Sequence, residues 1–236
     1  MRSAGVLAMV LMTLQAENWP QWRGAGANGV SAETGVPLEW SAEKNLAWKT
    51  TIPGRGRSSP VVWGDRVFLT TDIEAGPAVG HRAPQHIMNG SPFRHPDSMG
   101  ADVRHRLMVI CLDRRTGKVL WQRAAYEGVV ADERHKAGSY AAPTPVTDGK
   151  AVYAYFGSEG LYAFDMGGKL LWKYDPGTIL TVGMGPGSSP VLAGELVILQ
   201  CDSSDKKSKL VALKRKTGQV EWQTERPVEI TWSTPH

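Results

Sequence analysis

The chain alternates short runs of apolar residues with turns rich in Gly, Asp and Lys. After residue 16, no stretch keeps the 3.6-residue apolar period that is typical of a helix. The apolar runs are dense in β-branched and aromatic residues, which favour strands. Gly-Asp, Asp-Gly-Lys and Gly-Glu stand between neighbouring runs, and such pairs are typical of hairpin turns. The pattern therefore predicts an all-β protein built from consecutive antiparallel strands.

The apolar runs fall into three sets of four, which we call strands A to D of each set. Strand A is predicted at 60–62, 145–147 and 190–192, strand B at 66–71, 151–156 and 196–201, strand C at 106–113, 160–165 and 209–214, and strand D at 118–124, 169–174 and 219–225. Segment 45–50 resembles a strand D with no strands A to C before it. In a closed ring of sheets, such a segment completes the last sheet and removes its open edge.

A motif of Asp, Gly and Trp recurs at the turn between strands C and D. Its three copies read LDRRTGKVLWQ, FDMGGKLLWK and LKRKTGQVEWQ. Gly supplies a positive φ in the turn, and Trp follows it four residues later in every copy. A large aromatic residue repeated at one strand position is expected to pack between neighbouring sheets. The motif residues are Asp113, Gly117, Trp121, Asp165, Gly168, Trp172, Gly218 and Trp222, with Lys214 in place of a third Asp.

The spacing of the copies identifies the repeating unit. Pro145 to Pro190 and Pro190 to Pro235 are both 45 residues, the length of a four-stranded propeller blade. A ring needs at least about four blades, so we expect three complete blades plus partial ones, a fragment of a seven- or eight-bladed β-propeller. The expected bounds are a leader at 17–44 and a partial propeller at 45–236, with blade 1 at about 53–125 including an insertion at 72–105, blade 2 at about 140–176, blade 3 at about 185–226 and the start of blade 4 from 231.

The first 16 residues predict a signal peptide. Arg2 precedes an apolar run from Val6 to Leu14, and the small Ala16 follows. The run is about half the length of a membrane helix, so we expect a periplasmic or secreted protein without a transmembrane segment. Cys111 and Cys201 lie 90 positions apart, and a free pair is favoured over a disulfide framework.

Composition and motifs exclude some classes of function. The chain is 42% hydrophobic, which excludes disorder. Its 27 Lys and Arg residues, against 23 Asp and Glu, are scattered, which argues against nucleic acid as a partner. No Gly-x-Ser-x-Gly elbow, P-loop or His-Glu-x-x-His motif supports a hydrolase, although a catalytic triad can assemble from distant positions.

At these repeats the sequence resembles the pyrroloquinoline-quinone-like β-propeller repeat proteins, whose blades carry an Ala-x-Asp-x-x-x-Gly-x-x-x-Trp motif. The resemblance runs from about residue 45 to the end, and the segment from Trp19 to Gly24 is similar to the leader of exported bacterial members. The family that this resemblance implies includes two kinds of protein. Some are scaffolds without a cofactor, like the propeller of the outer-membrane protein assembly machinery, and others are quinone-dependent dehydrogenases. In the dehydrogenases, an adjacent Cys pair, a stacking Trp, a calcium site of Glu and Asn and a catalytic Asp hold the quinone. This chain has no adjacent cysteines and no assignable calcium ligands, so the resemblance implies architecture, and no cofactor is expected.

Two groups of residues are candidate sites. His81, His86, His95 and His105 lie in the insertion with Asp97 and Asp102, and imidazole is a common metal ligand. Their spacing matches no zinc pattern, and a solvated or blade-capping loop is the alternative. Candidates for the entrance of the central channel precede two of the A strands: Arg55, Arg57, His135 and Tyr140.

The leading hypothesis is a non-catalytic exported propeller scaffold that presents loops to a protein or polymer, besides the rest of its own propeller. One alternative is a dehydrogenase that uses pyrroloquinoline quinone with calcium and whose site lies in blades outside this chain. The other alternative is a metal-binding module built on the histidines of the insertion.

Overall fold

The computed structural model describes residues 16–88 and 90–235. The signal peptide predicted at 1–16 therefore lies outside the described residues, except for Ala16, and so does the terminal His236. Across the described ranges, no helix is long and apolar enough to cross a membrane. The only helical element in those ranges is one 3-10 turn, Gly157–Glu159.

The described part of the chain contains sixteen strands, and twelve of them belong to three four-stranded antiparallel sheets. Blade 1 contains β1 (Val61–Trp63), β2 (Arg66–Pro77), β6 (Val103–Asp113) and β7 (Val119–Val129); blade 2 contains β9 (Val146–Thr147), β10 (Ala151–Tyr155), β11 (Leu161–Asp165) and β12 (Leu170–Tyr174); blade 3 contains β13 (Val191–Ala193), β14 (Leu196–Cys201), β15 (Lys209–Lys214) and β16 (Val220–Glu225). Within each sheet the strands lie side by side in chain order. The all-β propeller architecture with four-stranded blades is confirmed.

The insertion in blade 1 differs from the expectation of a loop at 72–105. β2 continues to Pro77, and it pairs with β6 through partners such as Asp72 with Leu107 and Glu74 with His105. The reason is that extended pairing satisfies backbone N–H and C=O groups that a loop would leave to water. Between the two long strands, the chain forms β3 (His86–Met88), β4 (Ser91–Phe93) and β5 (Ser98–Met99).

The insertion is tied to blade 2 by a two-stranded sheet. β5 pairs with β8 (Arg134–His135), which precedes the first strand of blade 2. β3 and β4 form a separate hairpin, and no third strand joins it among the described residues.

Segment 45–50 is not a strand, contrary to the expectation of an isolated strand D. In the described structure no strand C lies beside it to supply backbone partners. Trp48 nevertheless lies where a blade tryptophan would: its Nε1 donates to the carbonyl of Arg114 at 2.8 Å, and its ring contacts Gly117.

The hydrophobic core lies between the sheets. One cluster joins blades 1 and 2 and includes Phe68, Trp121 and Phe164, and a second joins blades 2 and 3 through residues such as Tyr153 and Leu199. Each blade is thus stabilised mainly by burial against its neighbours, as in other repeat proteins.

Candidate functional site

The repeated tryptophans connect neighbouring blades. Trp121 is 7% exposed, and its Nε1 donates to the carbonyl of Met166 in the turn of blade 2, at 2.9 Å. Its ring covers Gly168, which has φ +85°, and a Cβ there would lie 2.7 Å from the ring. Trp172 repeats the arrangement on blade 3, with its Nε1 2.9 Å from the carbonyl of Arg215 and its ring on Gly218. We call this unit of indole, glycine and carbonyl the tryptophan lock.

The aspartates of the motif fix the turns that the tryptophans cover. Asp113 Oδ1 accepts bonds from the hydroxyl and backbone N–H of Thr116, and these bonds lower the pKa of Asp113. Asp165 Oδ1 accepts the backbone N–H groups of Gly167 and Lys169. The repeated motif is therefore used inside the fold, where its aspartates fix the turns on which the tryptophans pack.

The four histidines of the insertion do not share one centre. His86 Nε2 bonds Asp132 Oδ1 at 2.9 Å, and His105 Nδ1 bonds Asp72 Oδ1 at 2.7 Å, both in the buried interior. His81 Nδ1 lies 2.8 Å from the carbonyl of Ala101.

The buried pair of His105 and Asp72 is extended by the fully buried Arg134, whose Nε lies 3.8 Å from Asp72 Oδ2. Burial opposes the charge on His105, but the hydrogen bond and the charge of Asp72 outweigh it, so the pKa of His105 is raised. These groups stabilise the base of the insertion against blade 1.

Tyr140 lies in this interior and not at the entrance of a channel, contrary to the expectation. It is 2% exposed, its ring meets His105 edge-on at 4.7 Å, and its hydroxyl donates to the carbonyl of Asp132 at 2.8 Å. An apolar ring with one polar tip fits a buried site where the tip finds an acceptor. Burial is the main reason why its pKa is raised far above the ordinary value.

The other entrance candidates lie near one another at the surface. Arg55 donates to the carbonyl of Lys136 at 3.2 Å, and Arg57 Nε donates to the carbonyl of Ala137 at 3.0 Å. Both segments therefore adjoin His135, which is partly buried.

His135 also meets two residues of the insertion that sequence reasoning did not group with it. Ligand atoms of His95, Asp97 and His135 all lie within 4.8 Å of one another. The sequence pattern groups Asp97 only with the histidines of the insertion, because His135 follows about 40 positions later. The pairing of β5 with β8, which carries the contact, has too few residues to leave a strand pattern in the sequence.

A small cavity of about 30 Å³ lies between blades 2 and 3 and the segment that follows blade 3. Its lining includes Glu159, Ser188, Asp202 and Trp232. The Ser188 hydroxyl is buried without a partner in the described structure, whereas Glu159 Oε1 accepts the backbone N–H of Ala131 at 2.8 Å. Burial raises the pKa of Glu159 to about 7, against the ordinary 4.5.

Glu159 is expected to make stability depend on pH. Since its folded pKa lies above the unfolded value, this stability is complete below pH 4.5 and is lost as pH rises through about 7. The shift corresponds to on the order of 3 kcal/mol. Glu159→Gln keeps the acceptor for Ala131, and it should flatten the stability profile between pH about 5 and about 8 in urea unfolding.

The exposed Glu225 serves as the matched control, because Glu225→Gln should leave the wild-type pH profile unchanged. His105 contributes a slope of the same sign, as its raised pKa also favours the folded state at low pH. A Glu159→Gln profile as steep as that of the wild type would contradict the assignment.

The cysteines do not fit the quinone site of the dehydrogenases. Cys111 lies in β6 and Cys201 in β14, in different blades, and both are free and buried. Burial raises the pKa of each thiol to about 11, so both stay protonated at neutral pH. The described residues thus offer no adjacent Cys pair to hold a quinone.

The fold and the blade motif place the chain in a class of repeat propellers. A family model described as outer membrane protein assembly factor BamB matches residues 103–229. Since this is more than half of the 236 residues, the chain belongs to that family of pyrroloquinoline-quinone-like β-propeller repeat proteins, as the blade motif predicts. No curated protein matches the chain.

Three solved structures are similar to part of the chain. Europium-containing methanol dehydrogenase is 13% identical, with 76% of this chain and 26% of that chain covered and a TM-score of 0.47. A quinohemoprotein alcohol dehydrogenase from Pseudomonas putida HK5 is 14% identical, with 75% of this chain and 21% of that chain covered and a TM-score of 0.44. BamB from Moraxella catarrhalis is 18% identical, with 75% of this chain and 50% of that chain covered and a TM-score of 0.37. The chain thus spans between a fifth and a half of the length of these proteins.

Proposed function

We propose that the chain is a non-catalytic exported propeller scaffold that binds an extended segment of another protein on its insertion. The family description, an assembly factor, supports a protein as the partner. The observation that carries the proposal is an exposed groove beside the β3–β4 hairpin, with a volume of about 690 Å³.

The groove combines apolar contact area with open backbone. Its lining includes Ile87 and Met88, which are 57% and 40% exposed, and Ile230 and Trp232 from the segment after blade 3. Neighbouring exposed apolar side chains on a small hairpin are typical of an interaction surface. The hairpin has two strands only in the described structure, so an extended peptide can add to its edge through main-chain hydrogen bonds.

The test uses photo-crosslinking to identify the partner and purified components to measure its affinity. A photoreactive residue placed at Ile87 should yield a single protein adduct in cells that export the chain. With that partner purified, the double variant Ile87→Asp/Met88→Asp should weaken the dissociation constant at least about tenfold, as expected for central apolar contacts.

The matched control changes another exposed apolar pair. Val119→Asp/Leu120→Asp alters residues of similar exposure on β7, and its affinity should stay within about twofold of the wild type. If the groove variant and the wild type bind the partner with equal affinity, the groove is not the binding surface. Alcohol or sugar oxidation by the full-length protein, after addition of pyrroloquinoline quinone and calcium, would refute the non-catalytic scaffold in favour of the dehydrogenase.

A further inference from the structure

Two histidines and one carboxylate meet where the insertion contacts blade 2. His95 and Asp97 precede β5, and His135 ends β8. The backbone holds the two segments in register, because Ser98 pairs with His135 and the N–H of Lys136 donates to the carbonyl of Asp97 at 2.8 Å. All three side chains are partly buried, so solvent reaches them.

The distances fit two ligands of one ion better than a hydrogen bond. His135 Nε2 lies 3.5 Å from Asp97 Oδ2, beyond the usual range for an N–H···O bond. Two ligands that each lie about 2.0–2.1 Å from a tetrahedral zinc ion are about 3.3–3.4 Å apart. A ring nitrogen of His95 lies within 4.8 Å of the other ligand atoms, so a small movement completes the set.

The surroundings leave one oxygen of Asp97 for a metal. Lys136 Nζ lies 2.8 Å from Asp97 Oδ1 and occupies that oxygen. Oδ2 faces His135, which suits a monodentate carboxylate.

The Nδ1 atoms of both imidazoles accept backbone hydrogen bonds in the structure. His95 Nδ1 accepts the backbone N–H of Asp97, and His135 Nδ1 accepts that of Ala137, both at 3.1 Å. His135 Nε2 faces Asp97, so coordination through it moves the ring proton of His135 to Nδ1 and gives up the bond from Ala137. Ala137 is exposed, so water can replace the lost acceptor.

We propose that His95, Asp97 and His135 bind a divalent first-row transition metal, with zinc as the expected ion and water at the remaining position. Two imidazoles and one carboxylate favour zinc, cobalt, nickel or copper over calcium or magnesium, which prefer oxygen ligands only. The ion joins the insertion to the segment before blade 2. This site is distinct from the protein-binding groove, and it adds a metal-dependent contact to the scaffold.

Cobalt(II) is the probe, because its visible absorption reports the coordination directly. Titration of the metal-free protein should give the bands of a four- or five-coordinate nitrogen and oxygen site, and zinc should displace them. His135→Gln and Asp97→Asn should each weaken cobalt and zinc binding more than about 100-fold, beyond the effect usual for residues outside the ligand set.

His81→Gln is the matched control, since His81 lies in the same insertion but outside the cluster. Its metal affinity should equal that of the wild type. Zinc should also raise the thermal midpoint of the wild type and of His81→Gln, through binding to the folded state, but not that of His135→Gln.

Two results would overturn the site. One is a wild-type protein whose absorption and thermal midpoint do not respond to millimolar cobalt or zinc. The other is unchanged affinity in both His135→Gln and Asp97→Asn, which would place any bound metal elsewhere. Circular dichroism of the metal-free variants separates loss of a ligand from loss of the fold.

Discussion

Trp121→Ala is expected to destabilise the chain by about 3 to 5 kcal/mol, the usual cost of truncating a buried aromatic residue. The substitution removes the ring that contacts Phe68 at 5.9 Å and Phe164 at 6.3 Å between centroids. It also removes the bond from Nε1 to the carbonyl of Met166. Urea unfolding followed by circular dichroism measures the loss.

Trp222→Ala is the control at the equivalent position of blade 3. Trp222 is 40% exposed, and every residue of β16 is exposed in the described structure. In this 236-residue chain its replacement should cost less than about 1 kcal/mol. Equal costs for the two variants would show that the tryptophan lock does not carry the stability of the blade contact.

Arg134→Met should cost about 3 to 5 kcal/mol, because it removes one partner of a buried ion pair and leaves the other charge uncompensated. Arg134 is fully buried, between Asp72 and Glu74, and lies 5.7 Å from the ring of Tyr140. Asp72 keeps only His105 as a charged partner. Because the pKa of His105 is raised, His105 keeps its charge at pH about 5.5, and the loss should grow as the pH rises through that raised pKa.

The control for this prediction is an exposed ion pair on the same sheet. Arg106 Nε lies 3.0 Å from Glu127, and the two side chains are 44% and 48% exposed. Arg106→Met should change the free energy of unfolding much less than Arg134→Met, and without the pH dependence, because solvent screens an exposed pair. A similar loss for both arginine variants would contradict the role of burial.

The fold could be predicted because the repeat encodes it locally. Each copy of the motif contains its own turn glycine and its own tryptophan, so spacing alone gives the blade and the expected packing. Trp48 follows the same rule without belonging to a strand, since its ring needs only Gly117 and a turn carbonyl. The prediction of a strand D at 45–50 is wrong, because no strand C lies beside that segment in the described structure and the sequence pattern does not show this absence.

The chemistry of the insertion could not be predicted in the same way. The sequence pattern predicts His86 and His105 as candidate metal ligands in a loop. In the structure, His86 bonds Asp132 and His105 bonds Asp72, both in the buried interior. Those carboxylates come from other parts of the chain, and no local pattern links them to the histidines. For the same reason, the sequence pattern predicts His135 at a channel entrance and does not group it with Asp97.

The successive tryptophan locks couple each blade only to its nearest neighbours. Trp48 joins segment 45–50 to blade 1, Trp121 joins blade 1 to blade 2, and Trp172 joins blade 2 to blade 3. Each coupling acts between adjacent sheets only, so the opening of one sheet breaks at most two of them. A substitution in one tryptophan lock should therefore weaken that contact between blades and leave the free energies of the other contacts unchanged.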